Sequence, residues 1–524
     1  KDRFELLYDS AKYISDGNKH GRGRKYADAA LGKVTVSAVM KEITSKRNKD
    51  LLMSLGIIPI KDNQDMINRY EFFNRFKKES TSYGAQRRAS EGLAVNIAMK
   101  NLATNAGYAD VTRLTLTMET ELIKTWSKYF QWKKAKDAEL MIEISDSGHA
   151  TILCKKSDKI LKNVPANLKK NEYYLEKKED HQKLKEQYSR SVKLFEQAME
   201  EREEYQLKEL LMLMTNDVIR PILEGIVFVD SKGNTGFLVE QGLRNWENKI
   251  IQLDTAASVY VAHTYDIYTE GNWHKYQTYI FEQSMIQPFK QVFRELYLKT
   301  ADELNLTHSL MFAGNQIQPQ KTVGCLKGRR WIADYEEGLQ KVFYKENIVA
   351  CIYALADWFS PSDIEAPTLE WVEFSDRKTF KSLPIKDVPD ILFSEVMRDV
   401  DLAVSVAHAG GVDPETSHST IEMRRSIITF NLSLFGITNV TLEGNFAMIK
   451  GTHGEYTVHL GSGVVHQMAH GMLNILPVHS QSRGKLFLPF VDEDPKTAEI
   501  MSKILLLAQD NKIKDPSIME QIKK

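Results

Sequence analysis

The sequence predicts a multidomain protein of mixed α and β (α+β) class, and three observations predict it. Roughly the first 135 residues carry apolar side chains at helical spacing. A long polar stretch over 172–204 repeats apolar residues every three or four positions. The rest mixes short alternating runs, bounded by turn residues, with further helical patterns. At 524 residues the chain has room for several domains, each with its own core.

The helical region spans 1–135. "SEGLAVNIAMKNLATNAGY" sets Ala94, Ala98 and Leu102 on one stripe beside Leu93 and Ile97, and the glycine of "NAGY" stops it. "YEFFNRFKKES" repeats Tyr70, Phe73 and Phe76 at similar spacing. "ETELIKTWSKYFQWKKAKDAE" places Trp126, Tyr129, Phe130 and Lys133 on one helical face. Interleaved aromatics and lysines can grip single-stranded nucleic acid, although an amphipathic helix explains them more simply. A hairpin and a long helix follow in 136–222. Leu140, Ile142 and Ile144 alternate, Asp146 to Gly148 turn the chain, and the return strand carries Ile152 and Cys154. From Glu172 to Glu204, Leu184, Tyr188, Val192, Phe195 and Met199 form the stripe of one heavily charged helix, too short in clear heptads for a coiled coil.

An α+β domain is expected over 223–386. It has a hairpin around Lys232–Gly236, a strand in "SVYVAHTYDI", and strands in "NIVACIYALADWF" and "TLEWVEFSD". Between them "NWHKYQTYIFEQSMIQPFKQVFRELYLKT" reads as helix, a break at Pro288, then helix. A second, C-terminal α+β domain is expected over 387–524. It runs as helix "PDILFSEVMRDV", strand "DLAVSVAH", helix "DPETSHSTIEMRRSIITFNLSLFG", short strands from Val440 to Phe490, and a closing helix.

Composition narrows the function classes. Lys+Arg and Asp+Glu both number 70, so no global field draws in nucleic acid or an anionic membrane. Three separated cysteines, Cys154, Cys325 and Cys351, rule out a disulfide framework and favour a reducing, cytoplasmic setting. No apolar run reaches the roughly 20 residues of a membrane span. The opening at Lys1, without Met or a signal-peptide core, suggests a cut from a longer polypeptide whose N-terminal part would be the nearest partner.

Seven stretches together carry a family resemblance: "RYEFFNRFKKESTSYGAQRRASE", "NLATNAGYADVTRLTLTME", "QPFKQVFRELY", "ADWFSPSDIEAPTLE", "FSEVMRDVDLAVSVAHAGGVDPE", "GEYTVHLGSGVVHQ" and "LFLPFVDEDPKTAEIMSKILLLAQDNKIKDPSI". They resemble the C-terminal half of the large MolR-like bacterial proteins, a family of unknown function. Some members also carry a WGR module shared with poly-ADP-ribose polymerases. The resemblance runs from Gly56 to Ile522 and brings no assigned catalytic residue with it. Its name implies a proposed role in molybdate regulation. The chain departs from the family at Leu310, Met311 and Asn315, where Arg, residues beside Tyr, or His are frequent, and at Thr264, where Pro is common.

The standard catalytic motifs are absent: no phosphate loop, no H-E-x-x-H, no nucleophile elbow, no kinase signature. "GSGVVH" has His466 where a dinucleotide fingerprint needs its third glycine. Seven of 13 histidines lie between His408 and His479. If Ser462 and Gly463 form a two-residue turn, His459 and His466 face each other across a hairpin and could share a metal. The bland alternative is histidines that cap sheet edges. Asp492, Glu493 and Asp494 precede Pro495, which suits a helix cap, as do Asp413-Pro414 and Asp515-Pro516. An acidic loop gathering a cation is the sharper reading, with Lys496 and Lys503 beside it to meet carboxylate or phosphate. Lys290 and Arg294, four apart, could hold a phosphate from one helix face. Arg398, Asp399 and Asp401 suggest a nuclease centre only weakly, since no Glu-x-Lys follows.

The expectation is therefore a non-enzymatic regulatory or scaffold module with protein partners. The rival is an enzyme or ligand sensor using His459, His466, Asp492 and Asp494. A nucleic-acid or ADP-ribose-linked role is an analogy with WGR proteins. The identity of any cofactor is unknown from the sequence.

Overall fold

The computed structural model describes residues 3, 5, 6, 8 and 21–523, apart from 126–129, 158, 335–337, 362–366, 408–417, 469–470, 474, 476–486, 492–493 and 514. The chain divides into two compact units, Lys1–Ser191 with Glu209–Pro221, and Val192–Lys208 with Ile222–Lys524.

From residue 21 the described part of the first unit runs through the helices α1 (Gly21–Ala30), α2 (Val36–Lys46), α3 (Lys49–Leu55), α4 (Asn63–Glu79), α5 (Ala85–Asn105) and α6 (Val111–Thr125). Local chemistry starts them. Asn48 caps α3 through the N–H groups of Asp50 and Leu51, and Asp62 caps α4 through that of Asp65. The α3–α4 connection is closed by Arg69. Its guanidinium has no solvent exposure and donates to the carbonyls of Leu55, Ile58 and Pro59 and to Asp65. Phe73, Phe76, Ala94, Ala98 and Leu102 meet in the helical core, as their spacing predicts.

A four-stranded antiparallel sheet follows in the order β1 (Lys133–Ala135), β2 (Ala138–Ile144), β3 (Ala150–Lys156), β4 (Lys159–Leu161). The expected hairpin is β2–β3, with Leu140 opposite Cys154 and Ile142 opposite Ile152. Its turn uses Gly148 at φ +79°, where a Cβ would lie 2.7 Å from the Val218 carbonyl. One expectation is corrected here. Helix α6 ends at Thr125, and Lys133 opens a strand rather than continuing a helical face; Trp126 and Tyr129 lie outside the described residues. The long helix α7 (Glu172–Glu200) stops one turn earlier than its polar pattern suggests, and Glu204 enters a strand.

Among the described residues the second unit holds the end of α7, β5 (Glu204–Gln206) and three sheets. The six-stranded sheet has order β5-β10-β6-β7-β8-β9, with β6 (Val227–Asp230), β7 (Thr235–Val239), β8 (Gly242–Arg244), β9 (Ile250–Gln252) and β10 (Ser258–Val261). Helices α8 (Leu207–Leu213) and α9 (Arg220–Glu224) lie in sequence between β5 and β6, and α10 (Thr264–Thr269) and α11 (Trp273–Glu282) follow β10. The next sheet has order β11-β15-β14-β13-β12, from β11 (His308–Ser309), β12 (Ile332–Asp334), β13 (Gly338–Phe343), β14 (Ile348–Ala354) and β15 (Leu369–Asp376), with α12 (Pro319–Lys327) between β11 and β12. Helices α13 (Asp390–Ala407) and α14 (His418–Leu434) lead to an antiparallel meander of β16 (Val440–Glu443), β17 (Phe446–Lys450), β18 (Glu455–His459), β19 (Val465–Gln467) and β20 (Gly471–Leu473). Helices α15 (Pro495–Ala508) and α16 (Pro516–Lys523) close the chain.

Two secondary-structure expectations fail in this unit. "DLAVSVAH" is not a strand. Its residues to Ala407 continue α13, because Val396, Val400, Ala403, Val404 and Ala407 form a buried helical stripe that outweighs the local alternation. "QPFKQVFRELY" is not a helix after Pro288. It is a buried irregular segment whose Gln287 pairs with Phe490 in a parallel bridge. The Gln291 side chain stands in for a strand neighbour: its Oε1 accepts the Val227 N–H, and its Nε2 donates to the Val227 and Ala262 carbonyls. Polar backbone buried outside regular structure needs such partners. Phe289, Val292, Phe293 and Leu296 are buried all the same.

Candidate functional site

The irregular segment and α13 bring buried charges together at the centre of the second unit. Arg294 has no exposure and meets Glu395 with two hydrogen bonds of 2.7 Å, a fork-to-fork pair. Its other donor positions reach Glu196 and Glu200 at 2.8 Å, both on the last turns of α7, and the Lys290 carbonyl at 3.2 Å. Glu395 also takes a hydrogen bond from His263 Nε2 at 2.9 Å. His263 Nδ1 accepts the Tyr265 N–H at 3.0 Å in the cap of α10, so the ring proton that meets Glu395 sits on Nε2. Burial opposes ionisation of Glu395, yet Arg294 and His263 outweigh it and hold the carboxyl well below the usual carboxylate range.

A second knot adjoins the first along the chain. Lys290 Nζ lies 2.9 Å from Glu295 and 3.2 Å from Asp494, and Arg398 Nε lies 2.9 Å from the other Glu295 oxygen. Burial pushes the Glu295 carboxyl up, but Lys290 and Arg398 overcome that and hold it far below its ordinary value. Asp494 caps α15 by accepting the Thr497 N–H at 2.9 Å. Its carboxyl is likewise held low, with Lys290 and Arg424 overcoming burial. Arg424 donates to the carbonyls of Leu460 and Gly461. Further along α13, Asp399 accepts from Lys341, Trp331 and Arg329 at 2.7, 2.9 and 3.0 Å.

Lys290, Arg294 and Asp494 were separate candidates in the sequence, and the fold joins them in one network. It does so through buried pairing, not through an exposed helix face, since the i, i+4 helical geometry for Lys290 and Arg294 does not exist. His459 lies elsewhere in the same unit. Its Nδ1 accepts the Ser462 N–H at 3.0 Å, and its ring packs 5.0 Å from that of Phe446. The expected register is corrected: His466 pairs with Thr457, two positions from His459, because the turn closes with His459 N–H on the Val464 carbonyl. The two histidines are diagonal neighbours on the outer face of the meander, and His466 is exposed. Lys496 reaches Glu499 at 3.2 Å, and Lys503 reaches Glu499 and the Gly463 carbonyl at 2.8 Å. Asp492, Glu493 and Asp413 lie outside the described residues. Among the described residues no group of three or more His, Cys, Asp or Glu is arranged to hold a metal ion.

His263 and Glu395 are what sequence reasoning missed. A signal existed for the first, because His263 and Asp266 stand at capping-box spacing and the box forms. Glu395 gave none beyond its place among buried residues of α13.

Comparison with known families gives three matches. Residues 1–118 match a family of unknown function (DUF5724), residues 159–331 a domain of unknown function (DUF4132), and residues 421–522 a second domain of unknown function (DUF7737). Neither the curated proteins nor the solved structures yield a match. Three segments of the chain thus match families of unknown function. Among its described residues no helix is long and apolar enough to cross a membrane.

Proposed function

We propose that the chain is a non-enzymatic regulatory or interaction module of a larger, MolR-like protein. The seven family-like stretches support the family, and matches to three families of unknown function agree with a group that has no assigned chemistry. One observation carries the functional reading: the carboxylates Glu395, Glu295 and Asp494 that converge in the second unit are each paired with a cation of the same cluster. Glu395 and Glu295 are held ionised far from neutrality, so neither is poised to exchange a proton near pH 7. Both nitrogens of His263 are occupied, one by a backbone N–H and the other by Glu395. Such a core is a lock. It fixes the last turns of α7 and the segment around Arg294 against α13.

The test is a turnover screen of the intact chain against phosphate ester, carboxylic ester, peptide, nucleic-acid and ADP-ribose substrates. The expected result is no turnover above buffer. Turnover abolished by His263→Gln in a protein that still melts as the wild type does would contradict the reading.

A further inference from the structure

The first unit holds a cavity of about 490 Å³, between α4, α6 and α7, and nothing in the lock of the second unit involves it. Its walls include Tyr70, Arg75, Glu119, Leu122, Lys183 and Gln187. That volume is in the range of small-molecule sites, and most of the lining residues are polar or charged, with Leu122 and the Tyr70 ring among them, which suits a charged ligand.

The charges around it are unevenly paired. Glu179 takes both Lys78 at 2.7 Å and Lys183 at 3.4 Å, and Lys183 also meets Asp180 at 3.1 Å. Glu119 meets Arg190 through one oxygen, which also accepts from the Tyr70 hydroxyl at 3.4 Å. Its second oxygen, Oε2, is buried without a hydrogen-bond partner. The Gln187 side chain is 5% exposed, and its Nε2 is buried without an acceptor. Arg75 is exposed and rests 5.4 Å over the Phe72 ring with no carboxylate partner among the described residues. The cavity wall therefore holds, closed off from solvent in the free chain, an unmet acceptor at Glu119 and an unmet donor at Gln187, which rotation of those side chains opens to a ligand, and it carries an unspent cation at Arg75. Buried polar groups left without partners are costly, and a bound molecule that supplies them recovers that cost.

We propose that this cavity binds a small zwitterion of the amino-acid type, its ammonium group on Glu119 and its carboxylate toward Gln187 and Arg75. A lone amine leaves Arg75 and Gln187 unmet, and a lone carboxylate faces Glu119 with like charge. The site is independent of the regulatory reading: binding here is compatible with no turnover at all.

Burial is the main force on the free Glu119, raising its carboxyl to about 7, while Arg190 and Tyr70 pull the other way. An arriving ammonium group would drive the remaining proton off. The test is calorimetry of the intact chain at pH 7 with each standard L-amino acid, with acetate and ethylammonium as half-ligands, in two buffers of different ionisation heat. At least one amino acid is expected to bind, with release of about half a proton. Glu119→Gln should abolish the proton release, and Arg75→Ala, on the exposed rim, should weaken binding about tenfold without loss of fold. The proposal is overturned if no amino acid binds, if ethylammonium alone binds as tightly as the whole molecule, or if binding is unchanged in both variants.

Discussion

Replacing Glu119 with Gln should remove a pH-dependent penalty from the first unit. The groups facing this carboxyl are Tyr70 from α4 and Arg190 from α7, with Glu179 and Lys183 at the cavity wall. Burial dominates and raises the folded value to about 7 from the group's ordinary 4.5. Between those two values the folded state keeps a proton that the unfolded state has lost, so stability falls as pH rises through the window and is flat above it. At about 1.4 kcal/mol per unit, and with the side chain 16% exposed, the loss between pH 5 and pH 8 comes to about 2 kcal/mol. Urea unfolding of the wild type and of Glu119→Gln at four pH values measures it. The difference between the two proteins should move by that amount in the direction that favours the variant at high pH. A difference independent of pH would refute the reasoning.

Three further outcomes follow from local geometry. Gly242 sits at φ +139°, and a Cβ there would meet the Ile251 carbonyl at 2.2 Å, so Gly242→Ala should cost about 3 kcal/mol or prevent folding, read by thermal melting. Asp510 is buried and accepts from the N–H groups of Thr452 and His453 and from the Tyr456 hydroxyl. Asp510→Ala should cost about 3 kcal/mol and expose the β17–β18 turn to hydrogen exchange. Burial opposes its ionisation, but those donors hold its carboxyl below the ordinary range. The stability it contributes is therefore present above that range and should fade as pH falls through the depressed value. His459→Ala should cost about 1 kcal/mol through the lost turn contact to Ser462, with zinc uptake in a titration the same as in the wild type.

What could be read from the sequence was local. The β2–β3 and β6–β7 hairpins, the stripe of α5 and the Asp494 cap depend on residues a few positions apart, and they form where the pattern places them. "DLAVSVAH" misled because both periods fit a short apolar run, and only the packing of Ala403 and Ala407 in the core decides between them. "QPFKQVFRELY" misled more deeply. Its helical spacing is real, but Gln291 satisfies the backbone of Val227 and Ala262 and Gln287 that of Gly225, a role that no local window contains. The histidine register turned on where a turn closes, and a shift of two positions separated the pair. The lock was out of reach for a simpler reason: His263 and Glu395 are 132 residues apart. The cavity is similar, since Tyr70, Glu119 and Arg190 come from three separate helices.

The lock itself is best tested by a double-mutant cycle on Arg294 and Glu395. Arg294→Met leaves Glu395 buried with His263 as its remaining hydrogen-bond partner and should cost about 4 kcal/mol, a fall of about 6 °C in melting temperature for a body of roughly 300 residues. Joining it to Glu395→Met removes the stranded charge, so the double variant should be more stable than the sum of the two losses allows, with a coupling of at least about 2 kcal/mol. Strictly additive losses, or an Arg294→Met protein within about 1 kcal/mol of the wild type, would contradict a structural lock at the centre of the second unit.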